Sequence, residues 1–175
     1  MTILETNRII LRQIVPSDLN ELYLMNSDPV VMKYIWNGSI GTLSQMKLEL
    51  DGLISYYSKN PGLGIWAMVL KETNTITGAG GLVYYDNTRE IEIGYRIVKE
   101  HWNKGHAIEM ATGLLKYGFE INGLKKIVSS AHIDNAASIK VMKKTGMRYV
   151  DNRFPMVVCR PIMKLMLTGG PFNLN

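Results

Sequence analysis

Two neighbouring stretches decide the fold: Glu92-Ile93-Gly94-Tyr95-Arg96-Ile97-Val98 and, a few residues on, Trp102-Asn103-Lys104-Gly105-His106-Ala107. The first reads as a strand, and the second is a tight glycine-containing loop that opens a long helix, Gly105 to Ile121. That helix carries Ala107, Ile108, Met110, Ala111, Leu114, Leu115 and Phe119. Apolar residues cover much of its circumference, so it is expected to lie buried on a sheet. The first turn of a helix presents unpaired N–H groups and the positive end of the helix dipole. Gly105 lets a ligand approach the backbone there, and Ala107 keeps side-chain bulk low. The stretch is built as a phosphate cradle. It is neither a Walker A loop nor the three-glycine dinucleotide fingerprint, because the other glycines are missing.

Upstream, Gly64 to Leu70, Thr75 to Tyr84 and Glu90 to Val98 read as three strands of an antiparallel meander, with Lys71-Glu72-Thr73-Asn74 and Asp86-Asn87-Thr88 as the turns. Before them come a strand from Arg8 to Ile14 and a helix after Pro16 with Ser17 as N-cap. A short helix restarts at Asp28-Pro29, and a longer one opens on the capping box Thr42-Leu43-Ser44-Gln45 and ends at Asn60-Pro61-Gly62. Downstream, Lys125 to Ala131 is a strand and Asn135 to Thr145 a helix, with Gly146 as its left-handed C′ residue. Met147 to Asp151 and Val157 to Leu167 are final strands. The order predicts a mixed α/β domain, one sheet covered by helices. With no repeat, low-complexity tract or linker, residues 1–175 are expected to form a single domain.

At 175 residues and 46% hydrophobic, the chain can bury a sizeable core. No stretch has the roughly 18 consecutive apolar residues of a membrane span, and no secretory signal is read at the N-terminus. The single cysteine, Cys159, cannot form an internal disulfide and reads as core, so a reducing cytoplasm is the expected compartment. The net charge of +5 is uneven: residues 121–175 hold nine Lys/Arg against two acids. Such a field attracts a polyanion, whether nucleic acid, acidic lipid or a phosphorylated cofactor. Nucleic acid is disfavoured, because no aromatics interleave with these lysines as stacking platforms. The three histidines lack metal-ligand spacing, so no metal is expected.

A second motif, Asn135-Ala136-Ala137-Ser138, lies roughly 30 residues after the loop and runs on to Lys144-Thr145-Gly146-Met147. Taken alone, Asn135 is an N-cap and Ser138 a first-turn hydroxyl. Together, Glu92 to Tyr95, Trp102 to Ala107, Asn135, Ser138 and Lys144 to Met147 resemble the GNAT superfamily of acetyl-CoA-dependent N-acetyltransferases, its RimJ/RimL-like branch above all. The opening Thr6-Asn7-Arg8-Ile9-Ile10-Leu11-Arg12 and the helix at Asp18-Leu19 also look like that branch, so the likeness covers about residues 5–150. Two positions depart from its pattern: Arg96 stands where Trp is usual, and Asn103 where the loop commonly has Gly.

The resemblance implies a central, mixed, mostly antiparallel and splayed sheet flanked by helices, with acetyl-CoA as co-substrate. It puts the pyrophosphate on N–H groups of Asn103, Lys104, Gly105, His106 and Ala107, with Asn135 nearby and lysines such as Lys143, Lys140, Lys144 or Lys104 toward the phosphates. The pantetheine arm would pair with the open edge of the Glu92–Val98 strand, and Gly94 would mark a bulge there. A backbone N–H at Ile97 or Val98 would polarise the thioester and stabilise its oxyanion.

The attacking amine must lose a proton, and a carboxylate acting through water would take it. Glu92 is the first candidate, Glu90 the second and His132 a weaker third; His101 and His106 are expected to be exposed. Ser138 would protonate the leaving thiolate, since the helix after it has no tyrosine and Tyr149 lies in the next strand. The acceptor would be a small-molecule amine or a protein N-terminus, and a monomer and a homodimer both remain open. The alternatives are a CoA-binding module without transferase activity and a nucleic-acid or ribosome-surface binder; the latter's affinity would fall steeply with salt.

Overall fold

The structure, a computed structural model, describes residues 1–35, 41–85, 88–153 and 162–168. Among these described residues, eight strands form one sheet in the order β1-β2-β3-β4-β5-β6-β8-β7: β1 (Thr2–Glu5), β2 (Ile9–Gln13), β3 (Gly64–Leu70), β4 (Thr75–Tyr84), β5 (Ile91–Ile97), β6 (Lys126–His132), β7 (Arg148–Arg153) and β8 (Ile162–Thr168). Every neighbouring pair is antiparallel except β5 and β6. A parallel pair needs a long crossover, and the helix α4 (His106–Lys116) supplies it.

Helices cover both faces. Ile9, Leu11, Met68, Leu82, Ile93 and Ile97 of the sheet pack with Met110, Leu114 and Leu115 of α4 and Met142 of α5 (Ala136–Lys144). On the other face Ala67 and Ala79 meet α1 (Leu19–Ser27) through Leu22 and Met25, and α3 (Leu43–Lys59) through Met46 and Leu50. The short α2 (Pro29–Met32) follows α1, with the Asp28 carboxylate accepting from the Val30 N–H. Leu114 and Leu115 are fully buried, and truncating either to Ala costs about 2–5 kcal/mol.

The Thr42–Gln45 capping box forms in both directions, and Gly146 takes the left-handed φ of +83° expected of it. Several expectations are corrected. β1 precedes the first strand read from the sequence. It is only four residues long, alternates weakly, and gains its place by pairing with β2. Ser17 is not the N-cap of α1: a 3-10 turn, Pro16–Asp18, intervenes, and Asp18 takes the cap position. Its carboxylate accepts from the Val15 N–H at 2.9 Å and from both Arg12 terminal nitrogens, at 2.7 and 2.9 Å. Burial alone would raise the Asp18 carboxyl; the Arg12 and Val15 hydrogen bonds outweigh it and hold the group below its ordinary value. The long helix closes in a π turn, Tyr117–Ile121, so the α-helical span is shorter than expected. Thr88 belongs to the turn before β5, but Asp86 and Asn87 lie outside the described residues, as do the Arg153-Phe154-Pro155 and Cys159-Arg160-Pro161 landmarks after Arg153. Among the described residues no helix is long and apolar enough to cross a membrane.

Candidate active site

The two edges of β5 differ. Toward β4 the ladder runs through seven residue pairs without a break, Gly81 opposite Gly94 among them. The bulge expected at Gly94 is therefore absent on that side: β4 is itself glycine-rich and takes β5 in register. Toward β6 only one pair forms, Glu92 with Val128. Beyond it the strands part. Buried Ser129 spans the start of the gap by donating its hydroxyl to the Ile93 carbonyl at 3.0 Å.

Backbone groups of successive strand residues point to opposite edges. The Val98 N–H donates to Thr77 O on β4 at 3.0 Å, so Ile97 and Tyr95 turn their N–H groups toward the gap. Val98 is thereby corrected as a thioester-polarising donor, because its N–H is already paired, whereas Ile97 keeps that orientation. The Ile97 carbonyl accepts from Trp102 Nε1 at 2.7 Å, which ties the loop to the end of β5.

The loop itself is held from outside. Asn103 (φ +59°) and Gly105 (φ +82°) both take left-handed backbone, and Gly105 is the N-cap of α4. A Cβ on Gly105 would be strained at this φ and would meet an Arg8 nitrogen at 3.3 Å. Arg8 donates to the Lys104 carbonyl at 2.9 Å and, through Nε, to Glu109 in the first turn of α4 at 2.6 Å. Glu109 also accepts from the Arg8 N–H and the Thr6 hydroxyl. Burial would raise the Glu109 carboxyl, but these bonds from Thr6 and Arg8 outweigh it and hold it below its ordinary value. The carboxylate anchors the helix start to the β1–β2 turn. Sequence reading quoted Thr6 and Arg8 without a role, since nothing local announces a partner some 100 residues away.

His106, expected to be exposed, is 5% exposed. As the first residue of α4 it folds inward beside His101, whose ring lies 5.7 Å away, and both Nδ1 atoms are buried without a hydrogen-bond partner. Burial, reinforced by Arg8, pulls His106 below its usual value, so the neutral ring is the native form. Lys104 is exposed, and Ala107 packs half-buried against the core.

Across the gap, the Asn135 amide oxygen caps α5 by accepting from the Ser138 N–H at 3.1 Å. The Ser138 hydroxyl is 3.4 Å from Tyr95 Oη. Tyr95 is thus a further candidate for the site. α5 carries no tyrosine, but the strand period turns Tyr95, with Ile93 and Ile97, toward the helices α4 and α5. Burial raises the Tyr95 phenol, with Ser138 opposing, so it stays protonated at neutral pH. Tyr149 is exposed.

Glu92 sits at the throat, on the opposite face. Its Oε1 accepts both the N–H and the hydroxyl of Ser130. Glu90 lies just outside β5 and pairs with Lys126 at 2.5 Å. His132 accepts the Asp134 N–H at Nδ1, 3.1 Å away, and packs against Tyr34. Lys143 stands in the last turn of α5, where it lines an open depression with Lys140, Lys144 and Ile139.

On the same face of β5 as Glu92, Arg96 lines a cavity of about 210 Å³ between α1 and α3, with Tyr23, Asn26, Gln45, Met46 and Glu49. Arg96 donates to Asn26 Oδ1 at 2.8 Å and meets Glu49 at 3.3 Å. Its side chain is 13% exposed against 27% for Glu49. Burial draws the guanidinium below its ordinary value, with Glu49 opposing.

Residues 8–148 match the acetyltransferase (GNAT) domain family. The uncharacterised N-acetyltransferase YoaA of Bacillus subtilis (strain 168) is 31% identical over 145 residues, covering 82% of this chain and 81% of its own. The crystal structure of a GNAT-family acetyltransferase from Bacillus anthracis superposes with a TM-score of 0.80 at 25% identity, covering 96% of this chain and 98% of that one. RimL, a ribosomal L7/L12 α-N-protein acetyltransferase in complex with coenzyme A, superposes with a TM-score of 0.81 over 96% of this chain and 98% of its own; at 12% identity that likeness is one of fold. The chain belongs to the GNAT family of acetyltransferases. It is an acyltransferase, with the open, mostly antiparallel sheet between helices that the family's members share.

Proposed function

We propose that the protein transfers an acetyl group from acetyl-CoA to a primary amine, directly and without an acetyl-enzyme. The observation that carries this reading is the single residue pair between β5 and β6, beyond which Tyr95 and Ile97 turn N–H groups into a gap beside the braced N-terminus of α4. The residues fit the donor. An extended amide-bearing arm suits an open strand edge, and a pyrophosphate suits the first turn of a helix. Asn103, Lys104 and Gly105 are exposed at the start of that turn, and the RimL structure holds coenzyme A on the same fold. A reducing cytoplasm suits a chain with one cysteine.

In the chemical step the amine attacks the thioester carbon, a C–N bond forms and the C–S bond breaks. Glu92, oriented by Ser130, takes the ammonium proton through a water. The Ile97 N–H steadies the oxyanion. The proton for the departing thiolate comes from the Tyr95–Ser138 hydroxyl pair, and the second proton that the attacking nitrogen loses as the amide forms restores that pair through solvent. A phenol is the better matched donor, since its pKa lies much nearer a thiol's than a serine's does. The acceptor is an α-amine or a small-molecule amine.

Thermal melting with and without acetyl-CoA tests the donor half, since a ligand of the native state raises Tm by mass action. A shift with acetyl-CoA, weaker with dephospho-CoA, is expected, together with amine-dependent release of free thiol. No shift at millimolar acetyl-CoA would overturn the reading, and a shift with RNA alone would favour a nucleic-acid binder.

A further inference from the structure

We propose that Arg8 and Glu109 are positioning residues for acetyl-CoA: together they aim the N–H groups that take its pyrophosphate. The inference deepens the transferase reading above and rests on it. The loop before α4 needs support from outside. Asn103 and Gly105 flank Lys104 in left-handed backbone, a conformation uncommon for a residue with a side chain. Arg8, in the turn between β1 and β2, donates from Nη1 to the carbonyl between them, Lys104 O, at 2.9 Å. A trans peptide is planar, so its C=O and N–H point in opposite directions. Holding the Lys104 carbonyl toward Arg8 therefore turns the Gly105 N–H away from Arg8.

Glu109 does the corresponding work for the helix. Its Oε1 accepts the Thr6 hydroxyl at 2.6 Å and the Arg8 N–H at 2.7 Å, and its Oε2 accepts Arg8 Nε at 2.6 Å. These donors lie in the β1–β2 turn and Glu109 in the first turn of α4. The carboxylate thus fixes where the helix begins and which way its first N–H groups face. One turn further, a Cβ on Gly113 would come within 3.0 Å of Thr6 Cγ2, so the helix also packs closely on the same turn. Nε and Nη1 of one rigid planar group serve both acceptors, Glu109 and Lys104 O. A single side chain therefore sets the loop peptide and the helix start together.

Two simpler roles predict other behaviour. A charge acting through its field alone attracts the anionic donor if positive and repels it if negative. Removing the charge of Glu109 would then tighten the donor, whereas loss of positioning weakens it. A brace with a structural role only lowers stability and leaves the affinity of the folded protein as it was.

The test is calorimetric titration with acetyl-CoA, well below the Tm of each variant. It is read beside ligand-observed NMR titration with S-acetylpantetheine, the donor without pyrophosphate or nucleotide. The expected result is a Kd for acetyl-CoA about tenfold higher in Arg8→Met. Arg8→Lys binds as weakly as Arg8→Met, because one ammonium lacks the fork that serves both acceptors. Glu109→Gln also weakens acetyl-CoA, since the amide nitrogen cannot accept from Arg8 Nε. S-acetylpantetheine binds these variants as it binds the unaltered protein. Glu5→Gln, which breaks the 2.9 Å ion pair to Lys71 on the same strand β1, changes neither Kd. Tighter acetyl-CoA binding in Glu109→Gln, full affinity in Arg8→Lys, or equal weakening of the truncated donor would overturn the inference, as would a lowered Tm with unchanged Kd. Where Arg8→Met does not fold, Arg8→Lys and Glu109→Gln decide. Failure of the unaltered protein to bind acetyl-CoA would instead overturn the transferase reading itself.

Discussion

Strand β5 faces two environments. Its Ile93, Tyr95 and Ile97 look toward α4 and α5, where the backbone edge, the helix start and a hydroxyl pair surround the gap. Its Glu92, Gly94 and Arg96 look toward α1 and α3, where Arg96 meets Asn26 and Glu49 in the wall of a cavity. The first side is built largely from backbone, and its side chains mostly brace: Arg8 and Glu109 hold the loop, Trp102 holds Ile97, and Asn135 holds α5. The second side is built from side chains. On the proposed reading, the backbone side takes the donor and the side-chain side faces the acceptor.

Substitutions can break either half of this comparison. The largest expected effect is from Glu92→Gln, which should lower kcat by roughly 10²–10⁴ with acetyl-CoA binding unchanged; calorimetric titration of the donor beside turnover checks both parts. Loss of donor binding with unaltered turnover would reverse the assignment. Ser138→Ala and Tyr95→Phe separate the hydroxyl pair. If the phenol is the proton source, Tyr95→Phe costs about tenfold or more in kcat, Ser138→Ala costs less, and the pH profile of kcat loses its alkaline limb in the former.

Gly94→Ala should leave Tm within about 1 °C, since the added methyl meets nothing among the described residues. It should raise the acceptor KM about tenfold, as an extra methyl in a binding pocket does. An unchanged KM would mean that no acceptor passes over Gly94.

The smallest effect is on stability against pH. Asp18 and Glu109 are held below their ordinary values in the fold, and so is the buried His106. Each binds protons less readily folded than unfolded, so stability falls as pH falls. Loss begins below about 6.5 through His106 and steepens below about 4.5 through the carboxylates. Urea denaturation between neutral and acidic pH reads the slope, and Glu109→Gln should flatten its acidic part.

Much of the structure on the α4 side of β5 is legible in the sequence. Gly105, the apolar α4 and the Asn135 cap are local signals, and β3 and β4 begin and end where the pattern of apolar residues and turns places them. What escaped depends on distant partners. Tyr95 meets Ser138 across 43 residues, and Ser130 meets Glu92 across 38. His106 was misjudged because a polar residue at a helix start reads as solvent-facing until His101 is seen to cover it. Val98 was misjudged because the two edges of a strand alternate residue by residue, and one hydrogen bond to Thr77 fixes which comes first. Arg96 was visible as an oddity, but a cavity between α1 and α3 has no linear signature.

The central claim is that acetyl-CoA occupies the gap between β5 and β6 and the start of α4. Amide hydrogen exchange with and without acetyl-CoA tests it residue by residue. Slowed exchange at Tyr95 and Ile97 and from Asn103 through Ala107, with β2 and β3 unchanged, is the predicted result. Protection confined to the lysine face of α5, or none at either segment, would contradict it.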